Sequence, residues 1–227
     1  IHLHVVDNPG GVQPGDIATL SNPDPGQVDS AWATWYPYDR TVFARGIPAP
    51  AWRFSTSALD GSVYALTVTG TNLLYEGYFV PTEADPGLGG DGQQIRPSQA
   101  AWEAMGTASD GGDLTVQISK LVGGVKYGPI GQTLKIARGK LKGTIYYNTY
   151  GSPLAGDAAI MRIRGDLTTP EVLIGQCRVC HSVSADGSTV ANSYENPSLR
   201  ENGIFDITAN PDAPPNVFWT NAAEDAA

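Results

Sequence analysis

The sequence predicts a mainly β protein: an immunoglobulin- or fibronectin-like β-sandwich with an extended amino-terminal arm and a small β-rich carboxy-terminal part. Three observations carry this expectation. Short runs alternate apolar and polar residues, as in Val63 to Thr69, where Tyr64, Leu66 and Val68 share one face. Turn formers separate the runs, with 27 Gly and 17 Pro in 227 residues. Charged residues make up only 16% against 41% hydrophobic, which supplies a core without disulfides.

Residues 1–35 read as the arm. Ile1 to Val6 alternates as one short strand, placing His2 and His4 on one face and Leu3 and Val5 on the other. Pro9, Gly10, Gly11, Pro14, Pro23 and Pro25 then interrupt the chain, so no helix is expected there. The sandwich occupies residues 36–150. Its strands fall at Val63 to Thr69, Leu73 to Val80, Leu114 to Ile118, Gln132 to Ala137 and Gly143 to Asn148. Pro97 to Met105 is the one short helix expected, with Ser98 as its N-cap and Trp102 facing the core. Pro81 to Pro97, rich in Gly and Asp, is expected to be a long loop.

Residues 151–227 form the third region, with strands at Ala158 to Ile163, Glu171 to Ile174, Ser188 to Tyr194 and Gly203 to Ile207. Val217-Phe218-Trp219 begins a further strand, whose partners are expected beyond Ala227 or on another copy. No internal repeat of solenoid or propeller length is visible.

A formal net charge of -9 argues against a nucleic-acid partner, which needs a basic surface to displace counterions. All lysines lie between Lys120 and Lys142 and read as a solvated strand face, or as a docking patch for an acidic partner. No apolar run is long enough to span a membrane, and the opening at Ile1 instead of Met leads us to expect that a signal segment has been removed.

The strongest chemical signal is Cys177-Arg178-Val179-Cys180-His181, which uses both cysteines of the chain and one of its 3 histidines. Covalent haem attachment needs two thiols spaced to meet the two vinyl groups of one porphyrin. It also needs an imidazole directly behind them as the proximal iron ligand. Haem c, held by Cys177 and Cys180 and ligated by His181, is therefore the expected cofactor. Two other readings use the same atoms: a Cys177 to Cys180 disulfide, and a zinc site completed by His2 or His4. A thioredoxin-like redox pair fits less well, because no βαβ pattern surrounds the motif.

The run from Cys177 to Ala191, with Ser184-Ala185-Asp186-Gly187 inside it, resembles the CxxCH-x-V/L-S-x-DG segment of secreted myxobacterial and related bacterial proteins. In those proteins a Tyr-Pro-Tyr-Asp-x-Thr-Val-Phe segment opens a fibronectin- or immunoglobulin-like sandwich. Tyr36-Pro37-Tyr38-Asp39-Arg40-Thr41-Val42-Phe43 is similar to it, and Gly143 to Tyr147 looks like the closing strand. The similarity covers roughly residues 36–195. It implies c-type haem attachment without implying a particular reaction. In longer members the Ser-x-Asp-Gly element leads into a TolB-like propeller, for which too few residues follow here.

For the sixth iron position the candidates are His2 and His4, which would make a bis-histidine site, and Met161, which would raise the potential; Met105 is more remote. Arg178, Arg162 and Arg164 are candidates for pairing with haem propionates. Tyr194, Phe205 and Trp219 are candidates for the haem pocket wall. An amino-terminal strand that crosses to another subunit could deliver His2 or His4 there, joining copies into a homo-oligomer or filament.

Asp-Gly pairs such as Asp186-Gly187 read as turns and not as calcium loops. No phosphate loop, metalloprotease helix or nucleophile elbow is present. The expectation is a periplasmic or extracellular electron carrier, not an enzyme, whose partner is a redox protein or further copies of itself. The alternative is an extracellular structural or adhesive module with a disulfide and no haem.

Overall fold

In this computed structural model the protein is mainly β, and among the described residues alternating β-branched and aromatic residues pair into four sheets. Described are residues 2–56, 61–83, 92–149, 154–156, 158–165, 168–175, 178–196, 199–207 and 216–221; of these, 83, 178–180, 192–196, 199–206 and 216–221 are described by their backbone alone. The chain divides into two units, Ile1–Leu141 and Lys142–Ala227.

In the first unit the elements run β1 (Leu3–Asp7), α1 (Pro14–Leu20), β2 (Ala33–Tyr36), β3 (Thr41–Arg45), β4 (Trp52–Ser55), β5 (Val63–Gly70), β6 (Leu73–Phe79), β7 (Thr82–Glu83), β8 (Gly92–Ile95), α2 (Gln99–Ala108), β9 (Asp113–Val122) and β10 (Val125–Lys140). One sheet has the order β1-β6-β5-β9-β10-β3, and a second has the order β2-β4-β8-β7. The antiparallel hairpins β5–β6 and β9–β10 form the middle of the larger sheet. Its edges are parallel additions, β1 on β6 and β3 on β10.

Side chains of both sheets enter one core. Tyr64, Leu66 and Val68 of β5 meet Val116 and Ile118 of β9, Trp52 and Phe54 of β4, and Trp102 and Met105 of α2. Each such side chain contributes about 1.5–3 kcal/mol by leaving water. Trp102 sits edge-on to Phe43 at 5.3 Å, so α2 is anchored on the sheet through an aromatic pair. On the other face of the six-stranded sheet Ala65, Tyr78 and Leu121 pack against Val12 and Leu20.

Several expectations are corrected. The strand expected at Ile1 to Val6 is present as β1, but the lead-in is not extended throughout, since Pro14–Leu20 is helical where no helix is expected. Pro14 starts that helix instead of breaking it, because at the first position its missing N–H would have had no partner. The stretch from Pro81 to Pro97 contains β7 and β8, and β8 pairs with β4 along its length. Lys120 is no part of a solvated face: its side chain is 0% exposed and ion-paired with Asp29. The helix after Pro97 is present, and Ser98 caps it by accepting from the Ala101 N–H.

In the second unit β11 (Thr144–Thr149), β12 (Ala159–Arg164) and β13 (Glu171–Gly175) form one antiparallel sheet. β14 (Arg178–Val183), β15 (Thr189–Asn196), β16 (Leu199–Asp206) and β17 (Asn216–Asn221) form a four-stranded meander. Ile160, Ile174, Val190 and Ile207 give both sheets a shared core. Two differences from the expected pattern stand here. The strand from Thr144, read as closing the sandwich, pairs with β12 in register Tyr147↔Met161. The strand through Val217 to Trp219 finds its partner in β16, within the chain.

Candidate functional site

The cysteine-histidine motif enters β14, an edge strand of the meander. Val179 and Val183 favour extended backbone, and β14 runs antiparallel to β15 with His181 opposite Asn192 and Val183 opposite Val190. The register slips between Arg178 and Cys180, where β14 carries one residue more than β15. Such a bulge breaks the strict two-residue alternation that a regular strand imposes. Cys177 lies outside the described residues, and Arg178 and Cys180 are described by backbone alone.

His181 is half-buried and shares a face with Val183, which packs against the core of Ile160, Ile174 and Val190. No hydrogen bond or ion pair to its imidazole exists among the described residues. A half-buried imidazole with no partner among the described residues is suited to ligating iron or another borderline metal. Among the described residues, no cluster of three or more His, Cys, Asp or Glu side chains could hold a metal ion on its own.

Beyond His181 the strand is turned back by Ser184-Ala185-Asp186-Gly187-Ser188. Asp186 Oδ1 accepts from the Ser184 hydroxyl at 2.6 Å, the Ser188 hydroxyl at 2.8 Å and the Ser188 N–H at 3.0 Å. The Ser184 hydroxyl hydrogen bond comes first among the causes that, with those from Ser188, bring the Asp186 pKa down to about 2. Ser184 Oγ accepts in turn from the N–H groups of Ser188 and Thr189. Gly187 has φ +71°, a left-handed conformation that glycine adopts without strain. The Ser-x-Asp-Gly element is therefore a hydrogen-bonded hairpin turn, and its carboxylate is committed to that turn.

The other sequence-predicted residues have these places. His2 is exposed. His4 Nε2 lies 2.7 Å from Glu76 Oε2, a contact across the β1–β6 pairing. Met161 is 1% exposed within β12, and Met105 is fully buried in the first unit's core. Arg162 and Arg164 are held by Glu171, whose Oε2 and Oε1 lie 2.8 Å from Arg162 Nε and Arg164 Nη2. Burial would raise the Glu171 pKa, but the hydrogen bonds and charges of the two arginines outweigh it and hold the group below the usual carboxylate range. Both arginines thus have a carboxylate partner in the second unit, and propionate pairing is not needed to explain them. Tyr194, Phe205 and Trp219 take register positions opposite Arg178, Val190 and Gly203.

Among the described residues no helix is long and apolar enough to cross a membrane. No family model matches the chain, and no curated protein is similar enough to it to count as a relative.

Proposed function

We propose that this chain is a monohaem c-type cytochrome that transfers electrons outside the cytoplasm. The observation that carries the reading is the motif itself: both cysteines of the chain stand at haem-attachment spacing, and the following His181 has no hydrogen-bond partner among the described residues. Cys177 and Cys180 would hold the porphyrin by thioethers, and His181 would ligate its iron, which supplies one-electron redox chemistry when bound. The bulge between Arg178 and Cys180 supports this, because two thiols three positions apart in a regular strand would be aimed to opposite faces.

The chain's own contribution is support and exclusion. Val183, on the same face of β14 as His181, packs into the apolar core of the second unit, and the Asp186 turn fixes the strand that carries the imidazole. His2, His4 and Met161 remain the proposed choices for the sixth position. Catalysis is no part of this reading. The partner is a redox protein or further copies of the chain in an oligomer or filament, in the periplasm or outside the cell. The resemblance to secreted myxobacterial-type proteins belongs to the same proposal. So does the finer fold class, an immunoglobulin- or fibronectin-like sandwich for the first unit, supported by the core that its two sheets share.

The test is a visible spectrum of the purified protein, reduced in pyridine and alkali, with its intact mass, after production in a host able to attach haem. A c-type haemochrome and one added haem that survives denaturation are expected. A colourless protein of unmodified mass, or one lighter by two hydrogens, would replace the cytochrome with a disulfide-bearing structural module.

A further inference from the structure

Asp29 and Lys120 are 91 residues apart in sequence, yet Lys120 Nζ lies 2.7 Å from Asp29 Oδ2. Their side chains are 2% and 0% exposed. Lys120 stands on β9, an interior strand of the six-stranded sheet. Asp29 is brought to it by the segment before β2, which is stitched to β10. Gly26 N–H donates to the Gly128 carbonyl at 2.8 Å and Gln27 N–H to that of Lys126 at 2.8 Å, while Gly128 N–H donates back to Gln27 at 3.0 Å. Any Cβ at position 26 would come within 2.6 Å of the Lys126 carbonyl, so the approach requires glycine.

The pair is held from every side. Asp29 Oδ1 accepts from the Ala31 N–H at 3.0 Å, which fixes the carboxyl plane. Nζ donates to Thr56 Oγ1 at 2.9 Å and sits 4.8 Å from the centre of the Tyr127 ring and 5.7 Å from that of Trp32. The Tyr64 phenol stands beside Thr56 and near Asp29, and burial raises its pKa. A nucleophile and a carbonyl carbon fixed in contact and shielded from water react as if at effective molarities of about 10⁵–10⁸ M. Two buried ions are also costly to keep, and a neutral product relieves that cost.

We propose that Lys120 and Asp29 are joined by an intramolecular isopeptide bond. The ammonium passes one proton to the carboxylate, giving an amine and a carboxylic acid. The amine lone pair attacks Asp29 Cγ and forms the N–C bond. The nitrogen then gives a second proton to the Thr56 hydroxyl, which passes its own to the carboxyl OH. The C–O bond breaks and one water leaves. Atoms balance with no oxidant, cofactor or other reactant. Trp32 and Tyr127 cover the product and keep water from reversing the step. The bond ties the segment before β2 to the middle of the sheet, independently of any haem.

Peptide mass mapping of the denatured full chain decides the matter. Expected is a branched peptide joining the segments around Asp29 and Lys120, lighter than their sum by one water, and a matching deficit in the intact mass. Lys120→Arg should abolish both. Asp29→Asn should eliminate ammonia in place of water and reach the same final mass as the wild type. Linear wild-type peptides carrying a free Lys120 amine, with no water missing from the intact mass, would overturn the proposal whatever the variants do. Attached haem adds the same mass to every variant and leaves the deficit readable.

Discussion

The carboxylate of Asp7, the last residue of β1, accepts the backbone N–H of Ser98 at 2.8 Å, so the first strand supplies a partner for the start of α2. The same Oδ2 accepts from the buried Tyr75 phenol at 3.2 Å. Asp7→Ala leaves the buried Tyr75 phenol and the half-buried Ser98 N–H without this acceptor, and we expect a loss of about 2–3 kcal/mol from the first unit. Urea unfolding followed by tryptophan fluorescence checks it. Asp7→Asn keeps one acceptor oxygen and should cost less.

Stability should fall at high pH. Burial, followed by the charge and hydrogen bond of Asp7, raises the Tyr75 pKa, and burial raises that of Tyr64. A phenol with a raised folded pKa contributes stability that is fully present below its unfolded pKa of about 10 and is lost as pH rises above it. Each such group adds a slope of about 1.4 kcal/mol per pH unit there. Unfolding free energies measured from pH 8 to 11 should be flat and then drop, with a shallower drop in Tyr75→Phe. A flat profile to pH 11 would show that these phenols ionise as freely folded as unfolded.

Glu171 gives the opposite sign. With burial overcome by Arg162 and Arg164, its folded pKa is depressed. Its contribution is therefore complete above the unfolded pKa of about 4.3 and is lost as pH falls through the folded value. Glu171→Gln should cost about 2 kcal/mol at neutral pH, since the charge-assisted bonds from Arg162 and Arg164 to the carboxylate are then weakened. The gap between wild type and variant should close in acid, and a gap that stays constant would show that the arginines are satisfied by other groups.

The Asp186 turn offers a local check. A carboxyl-carbon NMR titration should find its pKa at about 2. In Ser184→Ala the value should climb toward the ordinary aspartate value of about 3.9. An unchanged titration would mean that Ser184 does not hold the carboxylate in solution.

His181 separates attachment from ligation. His181→Ala should retain covalent haem through Cys177 and Cys180, while the spectrum changes to that of iron without its proximal imidazole. Loss of colour with retained folding would instead make His181 a requirement for attachment. Deleting residues 1 to 6 is a poor test of His2 and His4, because it removes most of β1 from its pairing with β6. Alanine at both positions is cleaner, and an unchanged spectrum leaves Met161 or solvent as the sixth ligand.

Local patterns were legible in the sequence, and long-range ones were not. Tyr64, Leu66 and Val68 announce β5 because alternation is a property of consecutive residues. Ser98 announces α2 because its hydroxyl serves a donor three residues on. Parallel pairing of β3 with β10 has no such signal, since nothing near Thr41 refers to Leu134. The lysine cluster misled because its members share a sequence window and not an environment: Lys120 is buried, whereas Lys135 reaches an exposed Asp113. Asp29, a key partner in the first unit, sits in a Gly/Pro-rich stretch without periodicity. Only the fold places it. At the candidate site the motif was plain from spacing alone, while the bulge between Arg178 and Cys180 required the strand register.

The parallel edges of the six-stranded sheet set a clock on synthesis. β3 leaves the ribosome early, but the strand it must join, β10, follows about 90 residues later. At roughly 5–20 residues per second the wait is on the order of 5–20 s. Throughout it β3 lacks the strand that takes its hydrogen bonds, and β1 lacks its own for the first part, until β6 is made. The exposed Val42 and Val6 on these two strands make that interval the moment of greatest danger from self-association. Conditions that slow elongation should therefore lower the soluble yield of this chain more than its equilibrium stability would suggest.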